Sequence, residues 1–208
     1  MALGLLDGVR LLHLSGITPA LSESCDDLMD ALLVERRHGA STVSFDINYR
    51  SGLWPVEKAA GRLRDLALAA DIVIVGRDEA EQLWGTRTAD DIRDRLGRVP
   101  ELIVKDSDVG ATHFSSEGMV FQPALKVPVV EPVGAGDAFA AGFLSGWLKG
   151  MSPEHSLRHG HVMAAFTLQH ESDLPELPVP QVIAEYSRLD GGKWSDLDLS
   201  RSPRIQVP

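Results

Sequence analysis

EPVGAGDAFAAGFLSGWL, Glu131–Leu148, sets a glycine turn before an almost wholly apolar helix and puts one carboxylate, Asp137, at the helix mouth. Small residues recur behind it at Ala138, Ala140, Ala141, Gly142 and Gly146. A glycine turn is ordinary punctuation, and an acid in a first turn opposes the positive end of the helix dipole, so a structural reading accounts for the stretch. The same physics also makes an anion site. Unpaired N–H groups and partial positive charge collect at a helix N-terminus, and glycines let a phosphate approach the backbone. A carboxylate beside that phosphate can take the proton of a hydroxyl that attacks it. On this stretch alone the two readings stand level.

Upstream, strand and helix signals alternate. RLLHLSG, STVSFDIN, DIVIVG and ELIVKD are short apolar or β-branched runs and read as strands. Between them, LSESCDDLMDALLVERRHG reads as a helix with Ser22 as N-cap and Gly39 at C′; PVEKAAGRLRDLALAA as a helix with Pro55 near its start; and RDEAEQLWG and TADDIRDRLG as two short helices closed by glycine. GATHFSSEGMVFQPALKVPVV changes rhythm and reads as antiparallel strands with a hairpin. After the glycine-led helix come one started by Ser152 and Pro153, and a last one in VPQVIAEYSRL. The alternation predicts an α/β fold: a mostly parallel, three-layer, Rossmann-like sheet with helices on both faces.

With 208 residues, 44% hydrophobic and 24% charged, the composition suits one domain or a large part of a bigger one. A net charge of −10 argues against non-specific binding to nucleic acid or anionic membranes. The single cysteine, Cys25, allows no internal disulfide and suits a reducing cytoplasm. The start reads as neither a signal peptide nor a membrane span. There is no P-loop, no complete dinucleotide fingerprint and no nucleophile elbow. His155 and His159 share a helix face, but no metal-ligand pattern accompanies them, so a solvated face is expected.

FDINYR places Asp46, Asn48 and Arg50 at alternate positions leaving a strand, on one side of an extended chain, where ligands bind in open α/β sheets. The structural alternative is a surface turn with an Asp–Arg pair. The Arg50 guanidinium suits either the carboxylate of an acidic sugar or a nucleotide phosphate.

VVEPVGAGDAFAAGFLSGWL resembles the signature of the PfkB, or ribokinase-like, carbohydrate kinases, D-T-x-G-A-G-D-x-F. Its variant with Pro132 and Val133 is similar to the 2-keto-3-deoxygluconate kinase branch. LLHLSGITPALS, FDINYRSGLW, DEAEQLWGT and VKDSDVGA agree in order, so the resemblance runs from Leu11 to about Tyr186. It implies Asp137 as catalytic base, with the amides of Gly134, Ala135 and Gly136 as an anion hole. It also implies substrate or phosphate contacts at Asp46, Asn48 and Arg50, and a nucleotide loop through Lys105, Ser107 and Gly110. Glu79 matches the acidic end of an N-x-x-E motif tied indirectly to Mg²⁺; Gly76 stands where its Asn would be, and Ser107 where the family often has glycine. Without that context, Glu79 reads as a solvated first-turn acid and Lys105 as a surface lysine ending a strand.

The match begins in the middle of the family's pattern, leaving out its first strands, a sugar-contacting glycine pair and most of the β lid. Residues 1–186 are thus expected to form a partial ribokinase-like domain and 187–208 a polar, loosely held tail. Such a cut exposes a sheet edge and invites self-association into homo-oligomers. Two functions are in view. One is an ATP- and Mg²⁺-dependent kinase moving the γ-phosphate to a hydroxyl of 2-keto-3-deoxygluconate. The other is an inactive nucleotide-binding or interaction remnant.

Overall fold

The computed structural model describes residues 6–36, 39, 42–171 and 180–197. The short apolar runs form strands β1 (Leu11–Ser15), β2 (Thr42–Asp46), β3 (Ile72–Gly76), β4 (Glu101–Asp106), β5 (Gly110–Ser115) and β6 (Gly118–Pro123). They make one six-stranded sheet in chain order. β1 to β4 are parallel, with Ser15 beside Asp46, Asp46 beside Ile74 and Gly76 beside Lys105. β5 and β6 are joined only by Ser116 and Glu117, a connection that reverses the chain into a hairpin. The expected α/β architecture is therefore present. The further strands read into PALKVPVV do not form: beyond β6 that stretch makes only a single bridge, at Lys126. Pro128, within it, has no N–H to give to a ladder.

The chain divides into two compact units, the first covering Met1–Asp106 and His113–Met119, the second Ser107–Thr112 and Val120–Pro208. In the first, helices α1 (Thr18–Leu21), α2 (Glu23–Met29), α3 (Val56–Ala69), α4 (Arg77–Trp84) and α5 (Ala89–Arg95) accompany the parallel strands. One sheet face, with Val43, Phe45, Val73, Val75, Leu102 and Val104, packs with Leu63 and Leu66 of α3 in a single core. Ile72, Ile74 and Ile103, which alternate with these, are buried too. Burial on both faces explains why these strands read as continuous apolar runs.

Ser22 caps α2 as expected, accepting the Cys25 N–H at 3.2 Å. The helix does not run on to Gly39. It widens over Asp30–Val34, where the Glu35 N–H reaches back to the Asp30 carbonyl at 2.9 Å. The left-handed exit is taken by Arg36, at φ 53°. Its guanidinium explains why a non-glycine tolerates this, binding both Asp71 carboxylate oxygens at 2.9 and 3.1 Å and the Ala69 carbonyl at 2.7 Å. Gly85 does close α4 in the left-handed region, at φ 71°, whereas α5 ends on Leu96 without a left-handed glycine.

The second unit carries α6 (Ala135–Leu148), α7 (Pro153–Leu168), α8 (Pro180–Ser187) and α9 (Gly191–Ser195). α6 and α7 meet at backbone distance. A Cβ on Gly142 would stand 2.7 Å from the His159 carbonyl oxygen, and one on Gly160 would stand 2.9 Å from the Phe139 carbonyl oxygen and its ring. This contact overturns the expected solvated face: α7 is buried from Ser156 to Met163, with His159 and His161 inside it, and His155 instead bonds the N-cap Ser152 at 2.8 Å. The expected loose tail is corrected over Gly191–Ser195, a helix whose Trp194 is buried and donates its indole N–H to the Pro123 carbonyl at 3.0 Å. Residues 198–208 lie outside the described residues. No helix among the described residues is long and apolar enough to cross a membrane.

His161 packs edge-on against Phe139, 5.1 Å between ring centres, with its Nε2–H donated to the Gln122 carbonyl at 3.1 Å. Burial pushes its pKa down from 6.5 to about 4. The unfolded chain therefore holds the extra proton between those values. The stability this contributes is complete above the unfolded pKa and is lost as pH falls towards 4. His161→Phe should remove a pH dependence of up to roughly 3 kcal/mol between pH 7 and 4, read from urea unfolding of both proteins across that range.

Candidate active site

Parallel strands bring their C-terminal ends to one edge of the sheet, and in the first unit that edge collects Ser15, Asp46, Gly76 and Lys105. Asp46 ends β2 with its side chain only 3% exposed. Its Oδ2 faces Lys105 Nζ at 3.2 Å, and its Oδ1 accepts the Asn48 N–H at 3.3 Å. Asn48 is left-handed, φ 39°, so the chain beyond β2 is not the extended run that its alternation suggested. Asp46 and Asn48 nonetheless share one hydrogen-bonded network, and Arg50 is held in a separate ion pair. Asn48 Nδ2 donates to Ser15 Oγ at 3.3 Å, and Arg50 Nη1 reaches Glu79 Oε1 at 3.3 Å.

Glu79 lies in the first turn of α4, and its other oxygen accepts the Gly76 N–H at 2.9 Å. It is not a solvated first-turn acid: its side chain is 14% exposed. Burial raises its pKa, Lys105 opposes this, and the nearby Asp46 charge adds to it. Lys105 is likewise no free surface lysine, since it is tied to Asp46. Two carboxylates and two cations thus offset one another here, with the Arg50 guanidinium the most exposed of the paired groups. Arg77 Nε holds Asp106 at 2.7 Å beside them. Among the described residues no group of three or more His, Cys, Asp or Glu could cage a metal ion.

The second unit carries the other expected residues. Ser107 takes φ 43°, a region glycine enters without strain. Gly110, at φ 151°, is required by packing, because a Cβ there would lie 2.3 Å from the Gln122 carbonyl oxygen. Gly134 is the N-cap of α6 at φ 80°, and its carbonyl accepts the Ala138 N–H at 2.8 Å to start the helix. Only a residue free to enter the left-handed region makes this entry cheaply. The Ala135 N–H turns back to the Pro132 carbonyl at 3.3 Å, and the Val133 N–H is held by Glu131 Oε1 at 3.0 Å. The amides of Gly136 and Asp137 fall in the first turn, where no preceding helical carbonyl exists to receive them. Asp137 itself is exposed.

Ser15 was not singled out by the sequence. The signal was its position: in parallel register it ends β1 directly beside Asp46.

Residues 3–180 match the family described as pfkB family carbohydrate kinase. The chain belongs to the pfkB family of carbohydrate kinases. A 2-dehydro-3-deoxygluconokinase of Bacillus subtilis is 33% identical over 179 residues, 84% of this chain and 55% of the relative. One of Escherichia coli K12 is 34% identical over 167 residues, 76% of this chain and 54% of the relative. Among solved structures, a PfkB protein from Polaromonas sp. JS666 superposes with a TM-score of 0.69 at 28% identity, covering 83% of this chain and 57% of the other. This pfkB-family chain therefore spans about half the length of the curated relatives it matches.

Proposed function

We propose that this pfkB-family chain carries the phosphoryl-transfer machinery of an ATP-dependent sugar kinase whose acceptor is an acidic keto-sugar of the 2-keto-3-deoxygluconate class. The observation that carries the reading is the entry to α6, with left-handed Gly134 followed within one turn by the exposed carboxylate of Asp137. The names of the relatives support the acceptor class. Cys25 as the lone cysteine suits a cytoplasmic setting.

In this reading Asp137 accepts the proton of the acceptor hydroxyl as its oxygen forms a bond to the γ-phosphorus. The bond from that phosphorus to the bridging oxygen breaks and ADP leaves with the electron pair. Charge building on the transferring oxygens meets the amides of Gly134 and Gly136 and the positive end of α6, with the Ala135 amide shared with the Pro132 carbonyl. Lys105, Ser107 and Gly110 flank the nucleotide. Glu79, whose oxygens accept from Arg50 and from the Gly76 N–H, would act on Mg²⁺ indirectly, through the ion's water, rather than as a direct ligand. Bound that way, the ion would neutralise charge on the phosphates.

Arg50 is the group best suited to the sugar carboxylate, being the most exposed cation of its cluster. Arg50→Ala should raise the KM for the sugar acid by about tenfold or more while the KM for ATP stays within a factor of about two. A rise confined to ATP would move Arg50 to the nucleotide.

The reading is tested by ADP release from the purified 208-residue chain with ATP, Mg²⁺ and 2-keto-3-deoxygluconate, against ribose, fructose and a nucleoside. Release dependent on the acid sugar supports it. Nucleotide binding by calorimetry, with no acceptor raising ADP release, would favour the nucleotide-binding remnant instead.

A further inference from the structure

Asp46 stands where the kinase reading expects a sugar contact, but its surroundings suit another task. Its side chain is 3% exposed, which leaves almost no surface for a sugar hydroxyl. What it does touch is the Lys105 ammonium, through Oδ2 at 3.2 Å, and the Asn48 N–H, through Oδ1 at 3.3 Å. Lys105 keeps 20% of its side chain exposed. An ammonium has three N–H donors, so one bond to Asp46 leaves others to face outward. A lysine is a mobile point charge on a flexible stem, and a fixed carboxylate at its head selects one arrangement from many. On its other oxygen Asp46 steadies the left-handed turn at Asn48, which leads to Arg50.

We infer that Asp46 is a positioning residue: it does not touch the sugar but aims the Lys105 ammonium at a nucleotide phosphate. This rests on the kinase reading of the same site. It separates Asp46 from Arg50, with which it shares a sequence motif, and assigns the two residues to different ligands. It also makes Asp46 and Lys105 act in series, so that either change alone removes the same contribution.

Asp46→Asn keeps the size of the side chain and an oxygen for the Asn48 N–H, but turns an amide N–H towards the ammonium, so Lys105 loses its anchor. Calorimetry with Mg·ADP and, separately, with 2-keto-3-deoxygluconate should be run on the wild type, Asp46→Asn, Lys105→Met and the double variant, with folding checked by circular dichroism. Each single change should weaken Mg·ADP by about tenfold, the double variant should be no weaker than Lys105→Met, and sugar affinity should stay within about twofold throughout. If a single variant unfolds, the double variant removes both charges together and must show the same loss of nucleotide with sugar retained. Loss of sugar affinity with nucleotide unchanged overturns the inference, as do fully additive single effects.

A wild type that binds neither ligand would fail the kinase reading itself. Anchoring is decided separately by mass-spectrometric acylation of Lys105 with limiting acetic anhydride. Lys105 should react several-fold faster in Asp46→Asn than in the wild type, and equal rates would overturn the inference whatever the chain binds.

Discussion

Asp137→Asn is expected to lower kcat for the acid sugar by about 10²–10⁴-fold, the usual worth of a general base. The substitution isolates the proton-accepting role. Asparagine has nearly the same size and still suits the start of a helix, so α6 should keep its geometry. The Gly134 turn is untouched, and with it the amides and dipole to which the proposed mechanism assigns the phosphoryl charge. Nucleotide affinity should hold or rise slightly, since a negative charge near the phosphates is gone. The measurement is kcat and the Kd for Mg·ADP on both proteins, with circular dichroism to show equal folding. A folded variant that keeps near-full kcat would make Asp137 a first-turn acid serving only the helix dipole.

Trp194→Ala is expected to cost about 3–5 kcal/mol of stability in the second unit, the range for truncating a fully buried large aromatic. Trp194 is 2% exposed and packs in a cluster with Leu125, Val162, Phe166 and Ile183. Its loss also removes the indole bond to Pro123 and uncovers Arg158, whose guanidinium carbon lies 5.2 Å from the indole ring centre. Arg158 is itself buried, held by Gln122 Oε1 at 2.7 Å, Glu154 Oε1 at 2.6 Å and the Leu189 carbonyl. Truncation therefore also removes a cation–π contact from a cation whose hydrogen bonds stay in place. Urea unfolding followed by circular dichroism reads the effect, and Trp194→Phe should recover most of it. A loss below about 1 kcal/mol would mean that α9 adds little to this unit.

The parallel core was legible because strands buried on both faces leave continuous runs such as DIVIVG, and because Ser22 and Ser152 cap where capping chemistry places them. The glycine turn was legible for the same reason: only glycine enters α6 cheaply at φ 80°. What stayed hidden depends on contacts between residues far apart in sequence. Arg36 replaces a glycine at its turn because Asp71 is there to hold it. The histidines of α7 look like a solvated face until Gly142 and Gly160 let α6 close over the helix. Trp194 sits in a polar stretch and gives no local sign that Pro123 and Arg158 will enclose it.

The candidate site divides along the same line. Asp46, Asn48 and Arg50 were visible as a motif, but not that Asp46 is buried on Lys105 while Arg50 is left facing Glu79. That pairing is set by the parallel register of β2 to β4, which period and composition do not specify.

The most direct measurement is phosphorus NMR of a quenched reaction of the 208-residue chain with ATP, Mg²⁺ and 2-keto-3-deoxygluconate. The γ-phosphate signal should fall as a new sugar phosphomonoester signal and ADP rise in equal amounts, with no such signal from Asp137→Asn over the same time. ATP that stays intact with a folded, nucleotide-bound wild type, or that yields only inorganic phosphate, would contradict phosphoryl transfer to a sugar by this chain.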